Sequence, residues 1–339
     1  MAKEKDKNAL PTLNINKQYI NNSKLMRVLG TKDIDIDNDE NTFNLVVQND
    51  IISFVDVWTD PNITLTQQVT RFDMAVMDAA YTIMNSGLTM VTAEWIARVM
   101  SGNKDQKLTD NKLQNIRDSI DKLRSVHIRI DCTDEISARK GKKGKDHSFV
   151  YESYLLPLDK IEAKYEANGK EVVAYPVLTK PALYRYAEEI NQIIEIPTRY
   201  LETQEYFSDT DEAILIKRYV IKRVAQITSN NKLTNDKLSL LWYEKTGEPR
   251  GLIPELGYKP DGTAVWRRKK LKIMEIVKGT LQTLVDSGAI DSFEKYKGNG
   301  TNGTNLAIMG FEIKYHKIKN MAEKKEEARW HYDILGKNM

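Results

Sequence analysis

Two stretches of the chain run through the same succession of hydrophobic periods. In the first, Phe72, Val76, Ala79, Ala80 and Ile83 recur at helical spacing, and the pattern stops at Gly87. Thr92 then opens a short apolar helix through Met100, with a hydroxyl able to accept a bond from an orphan N–H of the first turn; Gly102 ends it. A third helix from Thr109 sets Leu113, Ile116, Ile120 and Leu123 on its buried side and leaves Lys112, Asn115, Arg117, Lys122 and Arg124 facing elsewhere. Val126, Ile128 and Ile130 alternate with His127, Arg129 and Asp131, the period of a half-buried strand, and Phe149 to Leu155 reads as its return partner. Between these strands Arg139-Lys140-Gly141-Lys142-Lys143-Gly144-Lys145 reads as a flexible cationic tip.

The second stretch predicts a helix over Ile214 to Ile227, a second over Thr234 to Tyr243, and a Pro/Gly-rich loop from Pro249 to Gly262. A third helix follows, carrying Leu271, Met274, Val277, Leu281 and Leu284 inward and stopping at Gly288. Its first turns hold Arg267, Arg268, Lys269, Lys270 and Lys272. Ile290 to Tyr296 and Leu306 to Tyr315 form a hairpin around a small polar loop, Gly298 to Asn305. Three helices followed by a two-stranded wing, present twice, predict an α+β protein: two tandem winged helix-turn-helix domains joined by a β-hairpin and short helices.

The joining hairpin is expected at Ile161 to Tyr165 and Glu171 to Leu178, turned at Asn168-Gly169. Ala182 to Ala187 opens a helix, Ile193 to Ile196 is a short strand, and Thr198 to Thr203 begins another helical turn. Tyr184 and Tyr186 have rings that can stack on bases, but their spacing favours core packing for one of them. The boundaries that result are an acidic, partly extended segment over 1–65, a first winged-helix domain with the extra hairpin over 66–178, a second over 179–319, and a charged tail over 320–339.

A net charge of only +3 does not by itself call for a nucleic-acid partner, but its distribution does. From Ala264 to Lys319 eleven Lys/Arg stand against five Asp/Glu, whereas from Thr31 to Asp60 one Lys stands against eight acids. Charged helix faces are ordinarily solvated faces; two basic helices at equivalent places in a repeat point instead to DNA. A major groove about 12 Å wide admits one helix, whose Arg and Lys reach guanine edges or flanking phosphates. The Lys-rich first wing and Lys295 and Lys297 of the second are placed for backbone contact, as are Lys314 and Lys317 on the return strand, with ordinary surface lysine as the alternative.

This order of elements resembles the plasmid replication initiators built from two tandem winged helices, which bind repeated origin sites called iterons. Phe72 to Ala79, Asp211 to Tyr219, and Gln192-Ile193-Ile194-Glu195-Ile196-Pro197 are similar to the openings of that family's two halves. The resemblance spans about Phe72 to Lys317 and rests on arrangement. The acidic leader and the long Pro249 to Gly262 insertion depart from the family's simplest form. Membership implies DNA as partner, a second domain that supplies much of the base readout, a first domain that supplies backbone contacts and a homodimer surface, recruitment of host replication proteins, and no catalytic centre or cofactor.

Little in the chain argues for chemistry. No G-x-x-x-x-G-K-[ST] sequence occurs, and the glycines around Lys142 and Lys143 have the wrong spacing. Asp33, Asp35, Asp37 and Asp39 begin like a calcium loop, but Asn38 replaces the turn glycine and Asn44 the bidentate Glu, so an acidic strand is expected. His127, His147, His316 and His331 form no metal-binding pair, and a single Cys132 excludes a disulfide framework. No stretch reaches the roughly 18 apolar residues of a membrane helix, and the first residues lack a signal-peptide core, so a cytoplasmic protein is expected. Three readings stay open: an initiator at repeated sites of a plasmid or phage, a winged-helix transcriptional regulator at an operator, and a mobile-element factor that binds protein.

Overall fold

A computed structural model of the chain describes residues 15–29, 42–44, 54–59, 69–140, 148–164, 171–229, 236–243, 249–258, 263–299 and 306–315. Within them helices and strands mix in an α+β arrangement around two hydrophobic cores. The order begins with β1 (Lys17–Asn21), α1 (Lys24–Leu29), β2 (Thr42–Asn44) and β3 (Phe54–Thr59). The first three-helix unit continues as α2 (Arg71–Asn85), β4 (Met90–Val91), α3 (Ala93–Ser101) and α4 (Asp110–Ser125). Each of its helices starts on a threonine. Thr70 and Asp73 form a reciprocal capping box on α2, Thr92 caps α3, and Thr109 caps α4. Gly102 closes α3 at φ 73°, where a Cβ would lie 2.4 Å from that of Leu201, so glycine serves both the left-handed turn and the close approach.

After α4 come β5 (Val126–Asp131), α5 (Thr133–Lys140), β6 (Val150–Tyr154), β7 (Ile161–Lys164) and β8 (Glu171–Pro176). β5 and β6 pair antiparallel as expected, and β3 and β2 extend that sheet in the order β2-β3-β5-β6. β7 and β8 form the expected hairpin, with β4 added on the β8 side. Arg139 lies on α5, where the sequence suggested the start of a flexible tip. A hydrogen bond from the Phe149 N–H to Thr133 and one from Arg139 to Glu135 at 2.9 Å belong to that helix.

α6 (Ala182–Glu189) and β9 (Ile193–Pro197) lead through a 3-10 turn, Thr198–Leu201, to α7 (Asp211–Ser229). Both Tyr184 and Tyr186 are buried, one more than expected. Tyr184 stacks on Tyr81 at 4.2 Å and donates to Asp78 at 2.7 Å, while Tyr186 donates to Glu135 at 2.8 Å. Neither is available to bases.

The expected helix over Thr234 to Tyr243 is not formed. β10 (Lys237–Ser239) and β11 (Trp242–Tyr243) occupy its described part, β11 pairs with β12 (Pro249–Arg250), and the short second helix is α8 (Leu252–Glu255), inside the stretch read as loop. Tertiary pairing explains the difference, because β10 is held as the third strand of a sheet, with Leu238 opposite Phe311. α9 (Ala264–Asp286), β13 (Ser292–Asn299) and β14 (Leu306–Lys314) complete the chain order, giving a sheet β10-β14-β13. The expectations for residues 33–39, 141–147, 168–169, 300–305, 317 and 320–339 lie outside the described residues.

The two cores meet along α7. Ile214 belongs to the core of α2, α3, α4 and β5, whereas Ala213, Ile216 and Val220 belong to that of α9 and β14. Buried polar groups cross the same seam. Arg218 reaches Asp78 of α2 at 3.0 Å, and Asp78 also accepts from Asn21 N–H at 2.9 Å. Lys217 donates to the carbonyls of Ser101 and Leu201 and to Asp209 at 2.6 Å.

Candidate nucleic-acid interface

The two helices singled out by sequence differ in where their cations go. On α4, Lys122 forms an ion pair with the buried Asp73, the residue that caps α2. Arg124 donates its Nε to the Leu158 carbonyl at 2.7 Å, pairs with Asp121 at 3.2 Å and lies over the Tyr175 ring. Lys112 reaches the Asp209 carbonyl at 3.3 Å and Asp211 at 3.6 Å, tying α4 to the segment that enters α7. Arg117 faces Glu94 of α3 at 3.8 Å. Only Asn115 of the five faces solvent as expected, in company with Asp110, Asn111, Gln114 and Asp118. The exposed face of α4 is therefore polar with an acidic balance. Lys112, Arg117, Lys122 and Arg124 lie off the buried side as expected, but they are half-buried and turned onto neighbouring elements, Lys112 onto the entry to α7 and the other three within the first half.

The physical reason is reach. Lys and Arg stems span several ångströms, so a residue whose Cβ lies at the flank of a helix bends towards any carboxylate or carbonyl beside it. Apart from Asp121, each partner here comes from another element, α2, α3, the turn before β7 or the entry to α7, and α4's own sequence gives no sign of them. Of the first wing, Arg139 is exposed and paired with Glu135 on α5; Lys140 ends that helix, and Lys142, Lys143 and Lys145 lie outside the described residues.

On α9 three of the five cations are exposed. Thr263 caps the helix by accepting from Trp266 N–H at 3.1 Å, and Trp266 packs towards Tyr258 and the second core. The core stripe runs through Ile273, Met274, Ile276, Val277, Leu281 and Leu284. Opposite it, Arg268 and Lys272 are exposed, and Arg267, nearer the stripe's edge, is exposed as well. Lys269 leans to one side, 2.5 Å from Glu212 of α7 and 5.1 Å above the Tyr258 ring, and Lys272 lies 4.0 Å from the same carboxylate. Lys270 is half-buried on the other flank. The first turn adds the positive end of a 23-residue helix to this surface.

Leu271 overturns its expected place: it is 60% exposed, and Val265 is 76% exposed. At 3.6 residues per turn, Leu271 stands roughly 120° to 140° around the axis from Val277 and Leu284. Full azimuths, instead of i+3 steps counted from one end, reveal it in the sequence. The same accounting places Glu275 on the exposed face with Arg268 and Leu271.

The hairpin β13–β14 is anchored beside α9. Phe293 and Phe311 meet edge to face at 5.8 Å, and Tyr296 donates to Ser239 at 2.8 Å beneath the Lys237 ammonium. Lys295 and Lys297 are exposed on β13 as expected, on either side of a register shift at Tyr296/Lys297. Lys314 pairs with Glu294 across the strands at 2.5 Å.

Among the described residues no group of three or more His, Cys, Asp or Glu is placed to hold a metal ion, and no helix is long and apolar enough to cross a membrane. Cys132 is buried, with its thiol pushed up to about 12 by burial and by Glu135 and Asp131 nearby. No family model and no curated protein matches the chain. Two crystal structures of domains 2 and 3 of RctB are similar to it at 14% identity. One, a selenomethionine derivative, covers 81% of this chain and 91% of that one at a TM-score of 0.38; the other covers 77% and 83% at 0.37. A likeness of that depth carries no argument about function.

Proposed function

We propose that this protein binds double-stranded DNA through its second half, with α9 in the major groove and the β13–β14 hairpin on the adjacent backbone. The order α7, β10, β11, β12, α8, α9, β13, β14, with β10 paired to the hairpin, supports a winged-helix reading of this half. The carrying observation is that Arg268 and Lys272, one turn apart, are exposed on the face of α9 opposite its core stripe, with Arg267 exposed at its flank. The first half has the same helix order, but its third helix exposes Asp110 and Asp118, so we assign it a positioning role without direct base contact.

The finer reading is a non-catalytic replication initiator of a plasmid or phage that acts at repeated origin sites, with homodimerisation and recruitment of host replication proteins. It rests on the resemblance of arrangement over Phe72 to Lys317. Footprinting tests it: direct repeats beside an A·T-rich tract are expected, and a lone palindrome over a promoter makes the protein a regulator. For DNA binding itself the measurement is affinity against salt. Replacing Arg267, Arg268 and Lys272 with Ala is expected to flatten the slope of log K on log salt by about 0.9 for each phosphate no longer neutralised. An unchanged slope and affinity would remove α9 from the interface.

A further inference from the structure

The exposed face of α9 holds more than cations. Val265 and Leu271 are exposed apolar side chains, about 120° apart around the axis, in the same three turns that carry Arg267, Arg268 and Lys272. Exposed leucines are common singly, but this one has charged neighbours on its own face, with Arg268 and Lys272 within one turn of it. A protein-binding helix of the usual kind presents an apolar stripe to a groove, i, i+3, i+4 and i+7. Here the positions around Leu271 on the solvent side are Arg267 and Arg268 one turn before it and Glu275 one turn after it, with the i+3 residue Met274 turned into the core, so Leu271 is an apolar centre bordered by charges. The surface such an arrangement complements is an apolar group embedded between anions. In the major groove that group is the thymine C5-methyl, flanked by phosphates on both strands.

Resting on the DNA-binding reading above, we infer that Leu271, with Val265 one turn and a half earlier, is a specificity residue that packs on thymine methyl groups while Arg267, Arg268 and Lys272 contact phosphates or guanine. The site recognised then contains thymine at defined positions under α9. Val265 lies at the capped end of the helix, closest to the groove floor in the usual docking of a recognition helix. Glu275, on the same face one turn beyond Leu271, disfavours close approach to the backbone there and is compatible with a cytosine amino group.

The test replaces thymine by uracil, which removes the methyl and leaves every hydrogen-bonding group in place. A duplex selected from a random pool is substituted one thymine at a time, and affinity is measured by fluorescence anisotropy at fixed salt. At one or two positions uracil is expected to weaken binding about fourfold, the transfer value of one buried carbon group. Leu271→Ala is expected to weaken the thymine duplex by a similar or larger factor and to abolish the thymine–uracil difference at one of those positions. Val265→Ala is expected to do the same at another. Circular dichroism of both variants is expected to be unchanged, because neither side chain is in the core. If Arg267, Arg268 and Lys272 prove necessary for binding but uracil is neutral everywhere, or the thymine–uracil ratio survives Leu271→Ala and Val265→Ala, the specificity role of Leu271 and Val265 falls and the DNA reading stands. If no duplex is retained, or the three cations prove dispensable, both fall.

Discussion

The Lys217 ammonium lies wholly inside the molecule, bonded to two carbonyls, Thr203 and Asp209. Burial lowers its pKa from 10.5 to about 8, against the opposing pull of Asp209. The unfolded chain therefore holds this proton more tightly, and between pH 8 and 10.5 the contribution of Lys217 to stability rises with pH; it is lost as pH falls through 8. Lys217→Met leaves Asp209 buried without its cation and is expected to cost about 3–5 kcal/mol near neutrality. Urea unfolding of both proteins across that window isolates the group, since other titrations cancel in the difference. The gap between wild type and variant is expected to widen with pH, and a gap that narrows contradicts the assignment.

Elements of identical sequence character have different outcomes here according to what packs beside them. α4 and α9 each carry five candidate polar or basic residues, yet α4 turns four of them onto Asp73, Glu94, Asp121, Asp209 and Asp211, while α9 keeps Arg267 and Arg268 exposed. The β10-β14-β13 sheet depends on an equally local contact. β14 passes so close to β10 that a Cβ on Gly310 would lie 2.1 Å from the Leu238 carbonyl oxygen and 2.7 Å from the Tyr296 ring. The carbonyl is backbone and is fixed by the pairing of Ser239 with Gly310. Gly310→Ala is expected to cost at least the ~1–3 kcal/mol of ordinary overpacking and to lower the thermal midpoint. A midpoint equal to wild type would mean that β10 is not held against β14.

At the scale of the molecule, the two cores share α7 and a buried polar seam. Ile214 faces one core and Ile216 the other, while Arg218–Asp78 and Lys217–Ser101 cross between them. Opening that seam exposes two buried cations at once, and either unit unfolding alone strands the partner's charge. Calorimetry of the wild type is expected to show one transition in place of two. Two separate peaks would show that the seam adds little and that the halves are energetically independent.

Local periodicity and capping were enough to locate α2, α3, α4, α6, α7, α9 and the strands β5, β6, β13 and β14 within a few residues. Thr92, Thr109, Gly102 and Gly288 act through bonds and dihedrals internal to their own turns, which is why a linear reading finds them. The tertiary structure alone decided the rest. β10 is a strand because β14 offers it a ladder; Lys112, Lys122 and Arg124 turn inward because acids and carbonyls distant in sequence lie within their reach. Leu271 stays outside because the core against α9 is only as wide as α7 and the hairpin make it. Hydrophobic period and capping are properties of neighbours along the chain; the destination of a long charged side chain is set by neighbours in space.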